Sequence, residues 1–253
     1  MHSRQRQQQG RSRRQRDNRL RRDSPRLASR KIREQVQRMA DGFFVNFCGL
    51  QEMSEKEKRK KFGDMDIVMT GFAGLSGSAI LVYEKYDQLR SRYPASFLEG
   101  AKNRKRFLGQ IPEAAPAGKS DDCSAYSFSE KGITGMYLLS EGGVFAGLWN
   151  LAKAAGVGLK IDLKSIPIRQ ETVEICNFFD VNPYQMQSEG SCLLLADNGG
   201  RVKAGLQEKG IFSEIIGVTT ENNDRVVING EERRYLEKHY EDALELVSRK
   251  EQS

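Results

Sequence analysis

Met136-Tyr137-Leu138-Leu139-Ser140-Glu141-Gly142-Gly143, followed by Val144-Phe145-Ala146-Gly147-Leu148-Trp149, decides the fold of this chain. Ile133 to Leu139 is apolar enough for a strand, and the two glycines break it. Gly142 to Ala155 then continues as a helix, with Val144, Phe145, Leu148 and Trp149 on one stripe that predicts a core-facing side. A strand, a tight glycine loop and a helix within residues 133–155 is the grammar of a sheet covered by helices.

The same grammar extends in both directions. Upstream, Asp66 begins the regular alternation: Ile67 to Thr70 is a buried strand, Gly71 to Ser78 a glycine-rich turn, and Ser78 to about Arg92 a helix. Pro94 opens a further helix through Phe97, Leu98 and Ala101. Downstream, Val157–Leu163, Ser191–Ala196 and Phe212–Val218 read as strands, with helices over Arg169–Phe179 and Gly199–Lys209 between them. A closing hairpin runs from Arg225–Asn229 to Arg233–Leu236, turning through Asn229-Gly230, a favoured hairpin dipeptide. The fold class is therefore α+β, a layered domain at 63–248 with a mixed sheet under helices.

The N-terminus is different in kind. Residues 1–38 hold 14 Lys/Arg against 3 Asp/Glu, a net of +11. The whole chain is +7, so residues 39–253 carry −4 (7 minus 11). Residues 1–24 have almost no apolar side chain besides Leu20 and read as disordered. Ser24-Pro25 is a helix start, Leu27, Ile32, Val36 and Met39 give a thin apolar stripe, and Gly42–Leu50 is a short apolar strand candidate. Ser54 to Lys61 is a charged helical turn, so residues 39–62 form a linker or partial element. Fourteen cations could meet nucleic-acid phosphates, a weak contact without an aromatic residue for stacking. A transit peptide is disfavoured because the first 20 residues lack an apolar face, and a start at Met39 or Met53 is a third reading.

Composition excludes several chemistries. Cys48, Cys123, Cys176 and Cys192 lie far apart, so no zinc spacing appears and no metal site is assigned. His2 and His239 are the only histidines, one in the tail and one near the C-terminus, which argues against a Ser-His or Cys-His catalytic pair. No 18-residue apolar run occurs, so no membrane contact is expected, and the chain reads as cytoplasmic with reduced thiols.

Four blocks in order resemble the C-terminal domain of the aminoimidazole ribonucleotide (AIR) synthetase-related proteins, nearest to hydrogenase-maturation-factor-like members. They are Asp66–Gly71 leading into Gly74–Ser78; Ser140–Gly143 with its helix; Gly156–Leu159 through Ile166–Glu171; and Ser188–Ser191 followed by Ile216-Gly217 and Asn223–Val226. They span roughly 63–236. The resemblance implies an ATP-dependent family whose separate N-terminal domain carries magnesium-binding aspartates and much of the phosphate site. Residues 1–62 are too short and too basic to be that domain. It also implies a His-Asp pair where Tyr137 and Leu138 stand, and a terminal cysteine where this chain ends Gln252-Ser253. Catalytic residues are therefore not assigned.

The ligand- or phosphate-facing candidates are Gly71, Gly74, Ser76, Gly77 and Ser78, then Glu141, Gly142 and Gly143, then Glu189, Gly190 and Ser191. Each has a plain alternative. Gly71–Ser78 could present amides to a phosphate at a helix N-terminus, or simply pack as a tight turn. Glu141–Gly143 could keep only a loop shape. Glu171 suits the helix dipole in a first turn, Arg169 a surface carboxylate, and Asp224 with Arg225 the hairpin entry. Trp149 and the cysteines read as core. The leading expectation is a degenerate, stand-alone C-terminal half acting as a binding or partner subunit. ATP and magnesium are expected only if a partner supplies the missing domain. The alternatives are half of a split ATP-dependent enzyme completed by a separately encoded N-terminal domain, and a nucleic-acid-associated adaptor. An exposed docking face would also favour self-association.

Overall fold

The computed structural model describes residues 53–102, 132–238 and 241–250, all within one compact unit spanning 44–253. The sequence expectations for residues 1–52, for Cys123 and for His239 lie outside the described residues.

A short helix comes first. Ser54 caps α1 (Glu55–Phe62) reciprocally with Glu57: Ser54 N–H donates to Oε2 at 2.8 Å while its Oγ accepts from Glu57 N–H at 3.4 Å. Glu55 and Glu57 in the first turn, with Arg59, Lys60 and Lys61 in the last, suit the helix dipole. Seven strands then form one sheet in the order β2-β4-β1-β5-β3-β6-β7. They are β1 (Asp66–Thr70), β2 (Ile133–Leu138), β3 (Gly158–Asp162), β4 (Cys192–Ala196), β5 (Ser213–Thr220), β6 (Arg225–Asn229) and β7 (Glu232–Tyr235). Only β3 and β6 pair in parallel; all other neighbours are antiparallel, so the sheet is mixed as expected.

Burial explains the unbroken apolar runs. β4 is buried at all five positions and β1 at four, because helices cover both faces. On one face Ile67, Met69, Leu193 and Leu195 pack with Val144, Leu148 and Leu151 of α5 (Gly143–Ala155). On the other, Val68, Leu194 and Ala196 pack with Val202 and Leu206 of α7 (Gly199–Glu208). A separate helical cluster joins α2 (Leu75–Glu84), α3 (Tyr86–Arg90), α4 (Ala95–Lys102), α6 (Gln170–Phe179) and α8 (Ala243–Lys250) through Leu81, Leu89, Leu98, Ile175 and Val247.

Three boundaries differ from the sequence reading. α2 starts at Leu75 and not at Ser78, because Gly74 in the left-handed region (φ 67°) turns the chain early enough for Ser76, Gly77 and Ser78 to be helical. The helix also breaks at Lys85, so what was read as one element to Arg92 is α2 followed by α3. In the hairpin, Asn229 pairs with Glu232, so Gly230 (φ 65°) and Glu231 form the turn and Asn229 stays in the strand. The sequence reading assigned no helix to 243–250.

Candidate functional site

The structure brings the three candidate stretches into one knot. The loop after β1 (71–74) and the first turn of α2 lie against the loop before β4 (186–191), which in turn meets the loop between β2 and α5 (139–143). Ser188 N–H donates to Ser140 O at 3.1 Å, and Leu139 N–H to Ser191 O at 3.0 Å.

Side chains of the third stretch fasten the first. Gly74 N–H donates to Ser188 Oγ at 2.8 Å, and that hydroxyl donates onward to Met186 O at 2.8 Å. Ser191 Oγ accepts from Phe72 N–H at 3.1 Å and donates to Phe72 O at 3.2 Å. Ser76 works in the opposite sense: its Oγ donates to Gln187 O at 2.8 Å and accepts from Glu189 N–H at 2.9 Å. Gly71 N–H goes to Phe212 O, Ala73 N–H to Pro167 O, Gly77 N–H to Gln187 O and Ser78 N–H to Gly74 O. Ser78 Oγ shares a contact of 3.1 Å with Thr172 Oγ1 on α6. Six of the eight amides from Gly71 to Ser78 thus donate within the domain. A phosphate cradle needs several N–H groups free and convergent, whereas these six already have partners within the domain.

The glycines of the second stretch are used for backbone shape. Gly142 (φ 71°) caps α5, and Gly143 (φ 64°) follows in the same left-handed region. A Cβ on Gly143 would stand 2.6 Å from both Met186 O and Tyr184 O, so this position is closed to larger residues. Gly190 (φ 93°) does the equivalent turn before β4. Phe145 stacks on Tyr184 with centroids 5.4 Å apart. Beside that pair opens a cleft of about 340 Å³, bordered also by Gln185, Asn229, Arg234 and Tyr235.

Two groups at this junction escaped the sequence reading. Asp242 sits at the start of α8, 7% exposed, and its Oδ2 accepts from Gly142 N–H at 2.8 Å while Oδ1 accepts from Leu244 N–H at 2.9 Å. Burial pushes its carboxyl up to about 6; the Gly142 and Leu244 amides pull it down, and the charges of Glu141 and Glu245 push it further up. Gln187 is fully buried, and among the described residues neither its Oε1 nor its Nε2 has a hydrogen-bond partner. Asp242 carried a weak sequence signal, an acidic residue just before an amphipathic run; Gln187 carried none.

At the expected polar pair, the Tyr137 hydroxyl oxygen (Oη) accepts from Asn150 Nδ2 at 3.0 Å and burial raises its pKa, while Leu138 packs into the core under α7. Arg169 pairs with Glu171 at 3.1 Å, so the carboxylate partner expected for it is its own neighbour on α6. Cys176 and Cys192 are buried free thiols. Burial pushes Cys176 up to about 12 and Cys192 to about 11, the latter against a lowering contact with Thr70 Oγ1, so both stay protonated near neutrality. Trp149 packs against the core as read but is only half-buried, and the Arg225 guanidinium lies 3.9 Å over its ring, a contact the sequence reading did not include. Among the described residues no cluster of three His, Cys, Asp or Glu is spaced to hold a metal, and no helix is long and apolar enough to cross a membrane.

A family model described as "AIR synthase related protein, C-terminal domain" matches residues 67–229. Among solved structures, Escherichia coli HypE, a hydrogenase maturation protein, aligns with a TM-score of 0.52 at 16% identity, covering 73% of this chain and 53% of that one. A HypE–HypF complex aligns at 0.49 and 18% identity, covering 72% and 55%. Thiamine monophosphate kinase from Aquifex aeolicus aligns at 0.42 and 15% identity, covering 70% and 53%. At these identities the likeness is one of fold, and the chain spans about half the length of the solved chains it matches. No curated protein sequence matches significantly.

Proposed function

We propose that this chain, which belongs to the AIR synthase-related family through its C-terminal domain, works as a binding or partner half and turns over no substrate by itself. The carrying observation is the commitment of the Gly71–Ser78 amides to Phe212, Ser191, Pro167, Ser188 and Gln187. A nucleotide phosphate placed at this loop would have to displace hydrogen bonds that hold the domain's three loops together. Each such exchange would forfeit about 1 kcal/mol or more. Tyr137 and Leu138, with a raised phenol and an aliphatic side chain, offer no acid or base near neutrality for proton transfer at the adjoining loop.

On this reading ATP and magnesium bind only across an interface, with a separate domain bringing the carboxylates and the phosphate-binding groups. What this chain contributes is a preformed shape: the two-glycine loop at 142–143, the loop at 188–191 and the rim carrying Glu141 and Glu189.

A thermal melt of the full chain with and without Mg-ATP tests the proposal. No shift is expected. A ligand at about 100 times its Kd would add about 2.7 kcal/mol, or on the order of 5–10 °C at this size. A rise of that order would restore an intact nucleotide site and overturn the reading. Sedimentation of the chain mixed with a recombinant aspartate-bearing N-terminal domain of the family then separates a partner half from an idle domain: the partner reading requires a stable complex.

A further inference from the structure

Away from the three loops, the corner where α1 meets the C-terminal end of α5 and the turn between β5 and β6 holds two guanidinium groups that form no ion pair among the described residues. The Arg225 guanidinium carbon lies 3.9 Å over the Trp149 ring centroid, the side chain is half-buried, and its buried Nε has no hydrogen-bond partner among the described residues. Arg59 of α1 reaches the same turn, donating from Nη2 to Asn223 Oδ1 at 3.0 Å; its Nε is likewise buried and unpartnered. α1 is pressed against this end of α5: a Cβ on Gly156 would come within 3.3 Å of the Lys58 side chain. Lys153, one helical turn beyond Trp149 and exposed, adds a third cation to the corner.

Among the described residues no carboxylate pairs with either guanidinium, although Glu221 lies on the same turn, beside Gly63 at the end of α1. Glu55 is held by Lys58 at 3.0 Å, and the Asp224 carboxylate faces Asn222 Nδ2 at 3.4 Å. Half-burying a guanidinium costs hydration that is ordinarily returned by a carboxylate or phosphate fork. Here the indole face returns part of it, and it holds the guanidinium plane rigid, so that less side-chain freedom is lost when an anion docks. Burial lowers the Arg225 pKa, the direction expected of a cation set into the protein with no counter-charge.

We propose that Arg225 stacked on Trp149, with Arg59 and Lys153 beside it, is an anion site that takes a phosphate group. The site is separate from the glycine loops and does not depend on how they bind. The phosphate can come from a small nucleotide or from a nucleic-acid backbone; the chemistry recognised is the same, and a stacking indole–guanidinium pair suits both sources.

The chain reports on this site directly, since Trp149 is its single tryptophan. Trp149 emission of the full chain is followed during titration with inorganic phosphate, with AMP and with a short oligothymidylate, in buffer free of competing anions. A saturable change is expected, weakening as salt is raised. In Arg225→Gln and in Arg59→Gln the apparent affinity is expected to fall about ten-fold or more. A response to phosphate and AMP identifies a small-molecule site, and a response to the oligonucleotide alone identifies the backbone as the source. No response to any of the three overturns the proposal, as does a response that persists in both variants. Because Arg225→Gln also removes the cover of Trp149, melts are run on each variant. If Arg225→Gln fails to fold, Arg59→Gln decides, since it leaves the Arg225–Trp149 contact in place.

Discussion

Asp242 offers the sharpest test of how the loops are held, because its effect has a predicted sign and a predicted window. Its carboxyl moves from an ordinary 3.8 in the unfolded chain to about 6 in the fold, chiefly through burial, against the pull of the Gly142 and Leu244 amides. Glu141 on the loop and Glu245 on α8 face it and raise it further, while the Cys176 thiol beside it stays protonated. Below both values the group is neutral in both states and exacts no penalty. As pH rises past 3.8 the unfolded chain releases its proton first, so the fold loses stability until about 6, and above that the full penalty remains. The interval corresponds to about 3 kcal/mol, or about 6–12 °C in melting temperature at this size. Asp242→Asn removes the titration. It keeps one acceptor oxygen and turns an NH₂ toward either the Gly142 or the Leu244 amide, a constant loss of about 1–3 kcal/mol. Melts of both proteins from about pH 4 to about pH 7.5 should therefore show the native chain's advantage over the variant shrinking by about 3 kcal/mol through that window, then levelling. An advantage that stays flat or grows with pH would refute the placement of an ionised Asp242 beneath the loop.

Other substitutions probe the same knot and its surroundings. Ser188→Ala strips the acceptor from the Gly74 amide and the donor from Met186 O, and a loss of about 1–3 kcal/mol in denaturant melts is expected. Gly143→Ala combines a left-handed backbone with two carbonyl oxygens 2.6 Å from the new Cβ, for about 2–5 kcal/mol lost by the same assay. Gly205→Ala acts in the opposite direction: the glycine is exposed in the middle of α7 with nothing within 4 Å of a Cβ, so the melting temperature should rise by about 2–4 °C for about 1 kcal/mol. Gln187→Met replaces a buried amide that has no partner by a side chain of similar length, and equal or higher stability is expected in chemical denaturation.

What the sequence made legible followed its periodicities. Ile67–Thr70 and Cys192–Ala196 are continuous apolar runs because both faces of those strands are covered, and Val144, Leu148 and Leu151 are spaced to meet them. The candidate glycines were legible as turns because a left-handed φ at Gly74, Gly142, Gly143 and Gly190 admits little else. The start of α2 was misplaced for the same reason: Gly74-Leu75-Ser76-Gly77-Ser78 carries low helix propensity, and the bonds to Gln187 and Ser188 that fix the turn come from more than 100 residues away. The contacts of Asp242 and Arg225 lay beyond reach because their partners, Gly142 and Trp149, are joined to them only by the fold.

The distribution of polar groups around the three loops bears on the proposed lack of turnover by this half more strongly than the identity of Tyr137 or Leu138. Ser76, Ser188 and Ser191 each both donate and accept, Ser76 and Ser191 wholly between loops and Ser188 through the bond it accepts from Gly74, so their hydroxyls act as clasps. Ser76 and Ser188 are almost fully buried, where a hydroxyl without partners would cost about 1–3 kcal/mol. A site that must bind and release a charged ligand needs donors whose bonds are made by the ligand, and these are already made. The unpartnered amide of Gln187 lies within the same loop, and it measures how far the packing has been settled without regard to hydrogen bonding there. If Gln187→Met is neutral or stabilising while Ser188→Ala is costly, the knot is held for shape. If Gln187→Met is costly although no partner in the fold accounts for it, a bound group must supply one, and the loops would have to be read again as a ligand site.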